Sequence, residues 1–416
     1  MATCCSFNQY NLYSLVAPAF GPYDRAIMPA DKAPFSLYIH IPYCISKCPY
    51  CDFNSHVVPE IPEANYTEAL IQELTHYARM NHWRGRSVQT IFFGGGTPST
   101  FQPSSIARIL ESANVLFPID SACEITLEAN PGTVESANFA GYRSCGVNRI
   151  SVGVQSFQPH LLKFLGRVHS ADEAVKALRV IGDAGFENFS LDLIYANPGQ
   201  TQRDLENDLD TALRFQSPHL SAYNLTIEEG TPFHHEYRSG RISLLSEEEE
   251  IAMAELIERR LGAAGLQRYE ISNYARPGFH SRHNVNYWRT GDYLGIGAGA
   301  HSHKRVANDG IYGRRWWNEK NPARYMNKIS ESGQAVTDAE ESDLTRAAGE
   351  HMFSGLRLID GICLDAFVTR FGKSVSELYP QISGWVSEGL METDGNRLRL
   401  TPRGILVANS IFVHFV

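Results

Sequence analysis

The sequence predicts an α/β protein: a parallel, barrel-like sheet followed by a small winged-helix-like α+β unit at the C-terminus. Three observations carry this. Strand-like and helix-like segments alternate from about residue 35 to about residue 272, the pattern of a parallel sheet flanked by helices. The chain's two most distinctive runs, one rich in cysteine and one in glycine, each follow a strand-like segment, as loops at the carboxyl ends of barrel strands do. Beyond residue 335 the alternation stops, and helical segments lead into a hairpin-like one.

Taken in order, residues 1–34 contain Cys4, Cys5, several prolines and little periodicity, and read as a flexible arm. A secretory signal needs a basic start and a compact apolar core, and a transit peptide would be Arg-rich, whereas this arm has only Arg25. The arm's role is left open. Residues 35–272 form the barrel. Its strands are expected at 35–41, 88–93, 123–127, 149–154, 189–194, 220–225 and 267–272. Helices are expected between them at 64–80, 104–116, 134–142, 170–183, 201–215 and 246–265. Thr201 precedes a periodic run and Ser246 leads an acidic first turn, both helix-start signals. The alternation fits either a closed eightfold barrel or a partial one. Residues 273–334, rich in Gly, His and Trp, read as a linker region. Residues 335–416 begin with an amphipathic helix over 340–356 and continue with helices at 364–371 and 375–388, the latter broken at Pro380 and stopped by Gly389. A hairpin over 390–401 turns at Asp394, Gly395 and Asn396. Winged helices often bind DNA, but no Lys/Arg cluster is present, so a protein-contact or lid role is expected.

The 416-residue chain is long enough for two to three domains, and its 43% hydrophobic and 20% charged content is that of an ordinary globular protein. A net charge of −9 argues against a general nucleic-acid binder. No run is long and apolar enough to cross a bilayer. Eight cysteines are few for this length and fit a reducing, cytoplasmic setting.

Cys44, Cys48 and Cys51 are spaced Cys-x3-Cys-x2-Cys. Thiolates hold iron–sulfur clusters, usually four to a cluster. A trio with no nearby fourth implies a cubane with one iron left open to a ligand. Zinc is the alternative, since His40 and His56 flank the run, and no metal at all is a third reading. A disulfide suits an odd, close-set trio poorly. Gly94, Gly95 and Gly96, followed by Thr97 and Pro98, would let backbone groups approach a ligand, or form a tight turn. Glu128 ends the third strand, where a carboxylate can accept from a ribose diol or an ammonium, or simply face water. Gln155 follows the fourth strand. Asp192 lies inside the apolar fifth, where an unpaired carboxylate is costly, so it is either salt-bridged or ligand-bound. Arg167 can pair with a carboxylate. Further on, His283, Asn284, Tyr287 and Trp288 form a His-Asn-x-x-Tyr-Trp motif, and His301 closes a glycine-rich run. On the residues alone, a capped loop with Tyr287 and Trp288 filling a domain seam stands beside haem ligation and stacking.

The cysteine spacing resembles the signature of the radical S-adenosylmethionine (SAM) superfamily, and the Gly-Gly-Gly-Thr-Pro run resembles its SAM-binding loop. The resemblance implies a partial (β/α)6 TIM-like barrel of radical SAM type. It implies a [4Fe–4S] cluster on Cys44, Cys48 and Cys51, whose open iron takes the amino and carboxylate groups of SAM, and cleavage of SAM to a 5′-deoxyadenosyl radical by one electron. Tyr38, Tyr50, Gly95, Gly96, Thr97, Glu128, Gln155, Arg167 and Asp192 follow the order of SAM-contacting positions in the oxygen-independent coproporphyrinogen III oxidases and their relatives. Those oxidases carry a further Cys two residues after the third cluster cysteine, where this chain has Phe53. With the His-Asn-x-x-Tyr-Trp motif, that feature resembles the HemW-type haem chaperone family, from about Leu37 to the C-terminus. This closer resemblance implies haem as cargo, with His283 as ligand or hydrogen-bond partner, Tyr287 and Trp288 stacking on the porphyrin, and His301 as a second axial candidate. It implies transfer to an acceptor haemoprotein, such as a membrane-associated respiratory one, without coproporphyrinogen oxidase activity and with no catalytic residue assigned. The rival expectation is an oxidase forming protoporphyrinogen IX. Were SAM cleaved, a flavodoxin or ferredoxin would supply the electron. A homodimer would suit a protein that shields haem.

Overall fold

The computed structural model describes residues 33–134, 136–308 and 310–415. The expected N-terminal arm lies outside the described residues apart from Ala33 and Pro34. Six parallel strands run in chain order: β1 (Phe35–Ile41), β2 (Val88–Gly95), β3 (Ile119–Ala129), β4 (Arg149–Gln155), β5 (Phe189–Tyr195) and β6 (His219–Asn224). Helices Glu63–Ala78, Pro103–Leu116, Ser136–Ser144, Ala171–Asp183 and Gln202–Leu213 connect them. Thr201 and Ser246 each close a capping box, so the helix-start signals hold, and Glu247–Ala263 follows Ser246.

The seventh expected strand is not a further parallel one. Residues 267–272 contribute β7 (Gln267–Glu270), which hairpins with β8 (Asn273–Ala275), and β8 runs antiparallel to β6. A two-residue connection cannot make the crossover that parallel pairing requires. The segment expected as a linker is built into the same sheet. β9 (Tyr293–Ile296) pairs parallel to β1, and β10 (His301–Asn308), β11 (Ile311–Asn318) and β12 (Val336–Ser342) extend it antiparallel. The resulting 12-stranded sheet ends at β12 on one side and β7 on the other, so the barrel is partial rather than closed.

Strand parity divides the barrel. Leu37, Ile39, Ile91, Phe93, Leu127, Val152 and Leu191 point outward into the main apolar core beneath the helices. The alternate positions line a polar lumen and bond to one another: Thr90 Oγ1 donates to Ser36 Oγ at 2.8 Å, and Ser151 Oγ donates to Asp192 Oδ2 at 3.0 Å.

Glu73, on the helix Glu63–Ala78, is fully buried outside the barrel and ties that helix to the β9–β10 corner. It accepts from Gly297 N at 2.8 Å, Tyr325 Oη at 2.7 Å and Asn318 Nδ2 at 2.7 Å. Burial raises its carboxyl to about 7, with the three hydrogen bonds opposing. As pH rises from about 4.3, the ordinary carboxyl value, the unfolded chain releases this proton before the folded one does, so stability falls until the folded value is passed. Melting curves of wild type and Glu73→Gln are expected to show wild type losing ground over that window. Parallel curves would mean that Glu73 does not titrate there.

The C-terminal unit has its own core around Met352, Phe367 and Phe371. The helix expected from residue 340 begins at Leu344, because 336–342 are taken by β12 and Asp343 caps the helix by accepting from Arg346 N at 2.9 Å. Val375–Leu378 and Ile382–Ser387 break around Pro380. β14 (Met391–Asp394) and β15 (Arg397–Leu400) form the expected hairpin, joined by the short β13 (Ile362–Cys363). Among the described residues no helix is long and apolar enough to cross a membrane.

Candidate functional site

The cysteine loop leaves the carboxyl end of β1. Its backbone is pinned where Cys44 N donates to His56 O at 3.0 Å and His56 N donates to Pro42 O at 2.6 Å. The thiols of Cys44, Cys48 and Cys51 are free and half-buried. Burial pushes the Cys44 and Cys51 thiols up, so a bound metal would have to draw off their protons. Thr97 Oγ1 donates to Cys44 Sγ and Arg167 Nη1 donates to Cys48 Sγ, both at 3.4 Å. The flanking histidines are engaged elsewhere. His40 Nε2 bonds to Asn54 O at 2.8 Å and its Nδ1 to Tyr38 Oη at 2.9 Å, while His56 Nε2 bonds to Asn54 Oδ1 at 3.2 Å. Burial lowers the His40 imidazole to about 4, so it is neutral. Among the described residues no three His, Cys, Asp or Glu side chains converge on a single ion.

The glycine loop sits directly behind the cysteines. A Cβ on Gly95 would lie 2.4 Å from the His40 ring, and one on Gly96 would lie 2.6 Å from Tyr43 O, so no side chain fits at either position. Gly95 also has φ +113°, and its N–H donates to Glu128 Oε2 at 3.2 Å. Burial, then the neighbouring Asp192, raises the Glu128 carboxyl to about 8. Among the described residues Asp192 has no ion pair; it accepts from Ser151 and Ser190 hydroxyls instead. Gln155 ends β4 in the left-handed region at φ +68°, a strained conformation for a residue with a side chain. Arg167 donates to Gly153 O at 2.9 Å and Tyr50 Oη at 3.4 Å, and its buried Nε has no partner among the described residues. The structure therefore links the cysteines to Thr97, Arg167 and Tyr50, and through the glycine loop to Glu128, while Gln155 ends β4 and Tyr38 and Asp192 lie lower in the lumen, midway along β1 and β5. The tight glycine cradle, the orphaned Arg167 Nε and the three free thiols without a fourth fit an iron–sulfur cluster with an amino-acid-bearing ligand.

The His-Asn-x-x-Tyr-Trp motif forms the short helix Arg282–Trp288, which plugs the lumen. Glu124 holds its start by accepting from the N–H groups of Arg282 at 3.1 Å and His283 at 3.0 Å. Sequence reading missed Glu124, since its partner motif lies more than a hundred residues further on. His283 is fully enclosed, with Nδ1 on Thr90 Oγ1 at 2.8 Å and Nε2 on Tyr287 Oη at 2.9 Å. Both ring nitrogens are thus taken, and in this arrangement His283 offers none to a haem iron. Burial, then the charge of Arg149, lowers it to about 3. Tyr287 and Trp288 do line an open space. A cleft of about 1480 Å3 runs from Tyr38 and Glu128 past Tyr287, Trp288 and His301 to Phe353 of the C-terminal unit. This exceeds the volume of most small-molecule sites, about 300–1,000 Å3.

The C-terminal unit closes the cleft's far side. Arg357 stacks over the Trp288 ring at 4.5 Å. Arg315 on β11 and Arg346 on the facing helix share Glu340 and Glu350 at 2.6–3.4 Å.

The Radical SAM superfamily profile matches residues 38–212, and the HemN C-terminal domain profile matches residues 343–407. Coproporphyrinogen III oxidase (HemN) from Escherichia coli, described as a radical SAM enzyme, superposes with a TM-score of 0.78 over 92% of this chain and 90% of that one, at 23% identity. The fold and its loops define a protein of the radical SAM superfamily. The heme chaperone HemW of Escherichia coli (strain K12) is 37% identical over 387 residues, covering 92% of this chain and 98% of that protein. HemW of Bacillus subtilis (strain 168) is 35% identical over 383 residues, covering 92% and 99%. The chain belongs to the HemW haem chaperone family.

Proposed function

We propose that the protein binds haem in the cleft and hands it to an acceptor haemoprotein, such as a membrane-associated respiratory one, while carrying a [4Fe–4S] cluster and SAM at the cysteine end of the barrel. The observation that carries this reading is the relation to HemW haem chaperones along nearly the whole chain. Phe53, exposed at the cleft where the oxidase pattern has cysteine, supports it. When bound, the cluster and SAM supply one-electron chemistry. The chain's own residues do the holding: Cys44, Cys48 and Cys51 give thiolates, and Gly95, Gly96 and Thr97 leave room for an amino group. Arg167 meets a carboxylate, and Glu128, Gln155 and Asp192 accept from hydroxyls, with Tyr38 and Tyr50 closing the pocket. Tyr287 and Trp288 offer ring faces to a porphyrin, and His301, exposed at the cleft mouth with its ring stacked on Trp317, is the candidate to approach iron. His283 acts as the buttress of Tyr287. The oxidase reading remains the alternative, since the HemN fold is shared.

The test is anaerobic reconstitution followed by haem titration, with coproporphyrinogen turnover assayed in the same samples. Stoichiometric haem uptake, seen as a shifted Soret band, without protoporphyrinogen formation is the expected result. Turnover without haem uptake would make the protein an oxidase.

A further inference from the structure

We propose that the wall of the cleft at Thr290 receives the carboxylate side chains of the tetrapyrrole, with Arg370 supplying the positive charge behind it; this rests on the haem-binding reading above. The cations and anions at the seam between the two units do not balance. Arg86 and Arg305 reach Asp292 at 2.7 and 3.2 Å, and Arg315 and Arg346 share Glu340 and Glu350. Asp343, the other acid on that wall, is committed to capping its helix. Arg370 has no carboxylate within ion-pair distance among the described residues. Its Nη1 instead meets two neutral groups, Thr290 Oγ1 at 2.5 Å and His351 Nδ1 at 3.3 Å. Burial, then the nearby Arg305, lowers its guanidinium to about 10, while Asp292 and Glu350 pull it the other way from beyond ion-pair distance.

Thr290 brings this charge to the cleft. It lines the space directly and follows the helix that carries Tyr287 and Trp288. Its φ is +48°, which is rare for a β-branched residue and is maintained only where surroundings impose it. His351 and Arg370, both from the C-terminal unit, hold its hydroxyl. A buried cation without a carboxylate is costly, and an arriving carboxylate would relieve that cost. The opposite end of the cleft carries Glu128, a raised carboxyl that offers an incoming carboxylate no positive charge. A flat ligand with an apolar ring and acids on one edge would then lie with its acids toward the seam and its ring beside Tyr287 and Trp288.

The test compares haem with haem dimethyl ester, which keeps the ring and the iron but has no free carboxylates. Both are titrated into cluster-loaded wild type, Arg370→Gln and Arg370→Lys. Wild type is expected to bind haem roughly tenfold to hundredfold more tightly than the ester, the size of a hydrogen bond to a charged group. Arg370→Gln should remove most of that preference without weakening the ester, and Arg370→Lys should restore part of it. Equal affinity of wild type for the two compounds would overturn the carboxylate site while leaving haem binding intact. So would an Arg370→Gln variant that weakens both by the same factor. Wild type that takes up neither would overturn the haem reading and this site together. The wild-type comparison decides the matter even where a variant fails to fold.

Discussion

Replacing any one of Cys44, Cys48 and Cys51 with alanine is expected to abolish the iron–sulfur absorbance of anaerobically reconstituted protein and to remove SAM binding with it. A site with three protein thiolates has no spare ligand, and the flanking His40 and His56 are turned to Asn54 and Tyr38. The thiols contribute little to the apoprotein's fold. They are half-buried, and their side-chain contacts include the weak sulfur bonds of 3.4 Å from Thr97 and Arg167. Unfolding of the apo variants should therefore stay within about 0.5 kcal/mol of wild type, the range for changes away from the core. Iron and sulfide per chain give the readout. A variant that keeps a full complement of iron would dismiss the three-cysteine assignment, and zinc in its place would return the site to a structural metal.

The second large effect is on stability. Asp292→Ala is expected to destabilise the protein by about 3–5 kcal/mol, the cost of removing one partner from a buried ion cluster. The Asp292 side chain is fully enclosed; it accepts from Arg86 Nη2 at 2.7 Å, Arg305 N at 2.8 Å and Arg305 Nε at 3.2 Å, and its removal strands two guanidiniums. Burial alone would raise this carboxyl, but the bond from His82 and the charges of Arg305 and Arg86 hold it well below the usual range. Its contribution is thus complete above the ordinary Asp value, about 3.9, and is lost only as pH falls from there through the lower folded value. Urea unfolding at neutral pH measures it. A loss below about 1 kcal/mol would place Asp292 among exposed pairs, whose removal costs that much or less.

The alternating segments foretold the first six strands because each is followed by a helix with its own start and stop. The strands themselves carry two messages at once. Asp192 looked anomalous in an apolar run, yet it belongs to the lumen-facing parity together with Ser151 and Ser190. The hairpin at 267–275 was misread because a short edge strand has the same local composition as a parallel one, and only the length of its connection tells them apart. Residues 273–334 looked like a linker because they are rich in Gly and His, and it is the pairing of β9 with the distant β1 that builds them into the sheet. At the site, spacing picked out the cysteines and glycines, since their chemistry depends on local geometry. It picked out His283 through the motif but did not show that Thr90, on β2, and Tyr287, one turn on in the same helix, take both of its ring nitrogens. The bonds of Thr290 to the C-terminal unit were equally hidden, for nothing in a Thr-Gly pair announces a left-handed residue held from another domain.

The cleft lies between two cores that pack separately, one beneath the barrel helices and one around Phe367 and Phe371. A guest seated there touches both and so acts as a removable rivet. With it in place, the two cores should melt closer to a single transition, and the seam amides should exchange more slowly. Releasing the guest then requires no unfolding of either core, only a loosening of the seam. An acceptor that competes for the Arg315, Arg346, Glu340 and Glu350 contacts could open the exit while leaving the cysteine end of the barrel untouched.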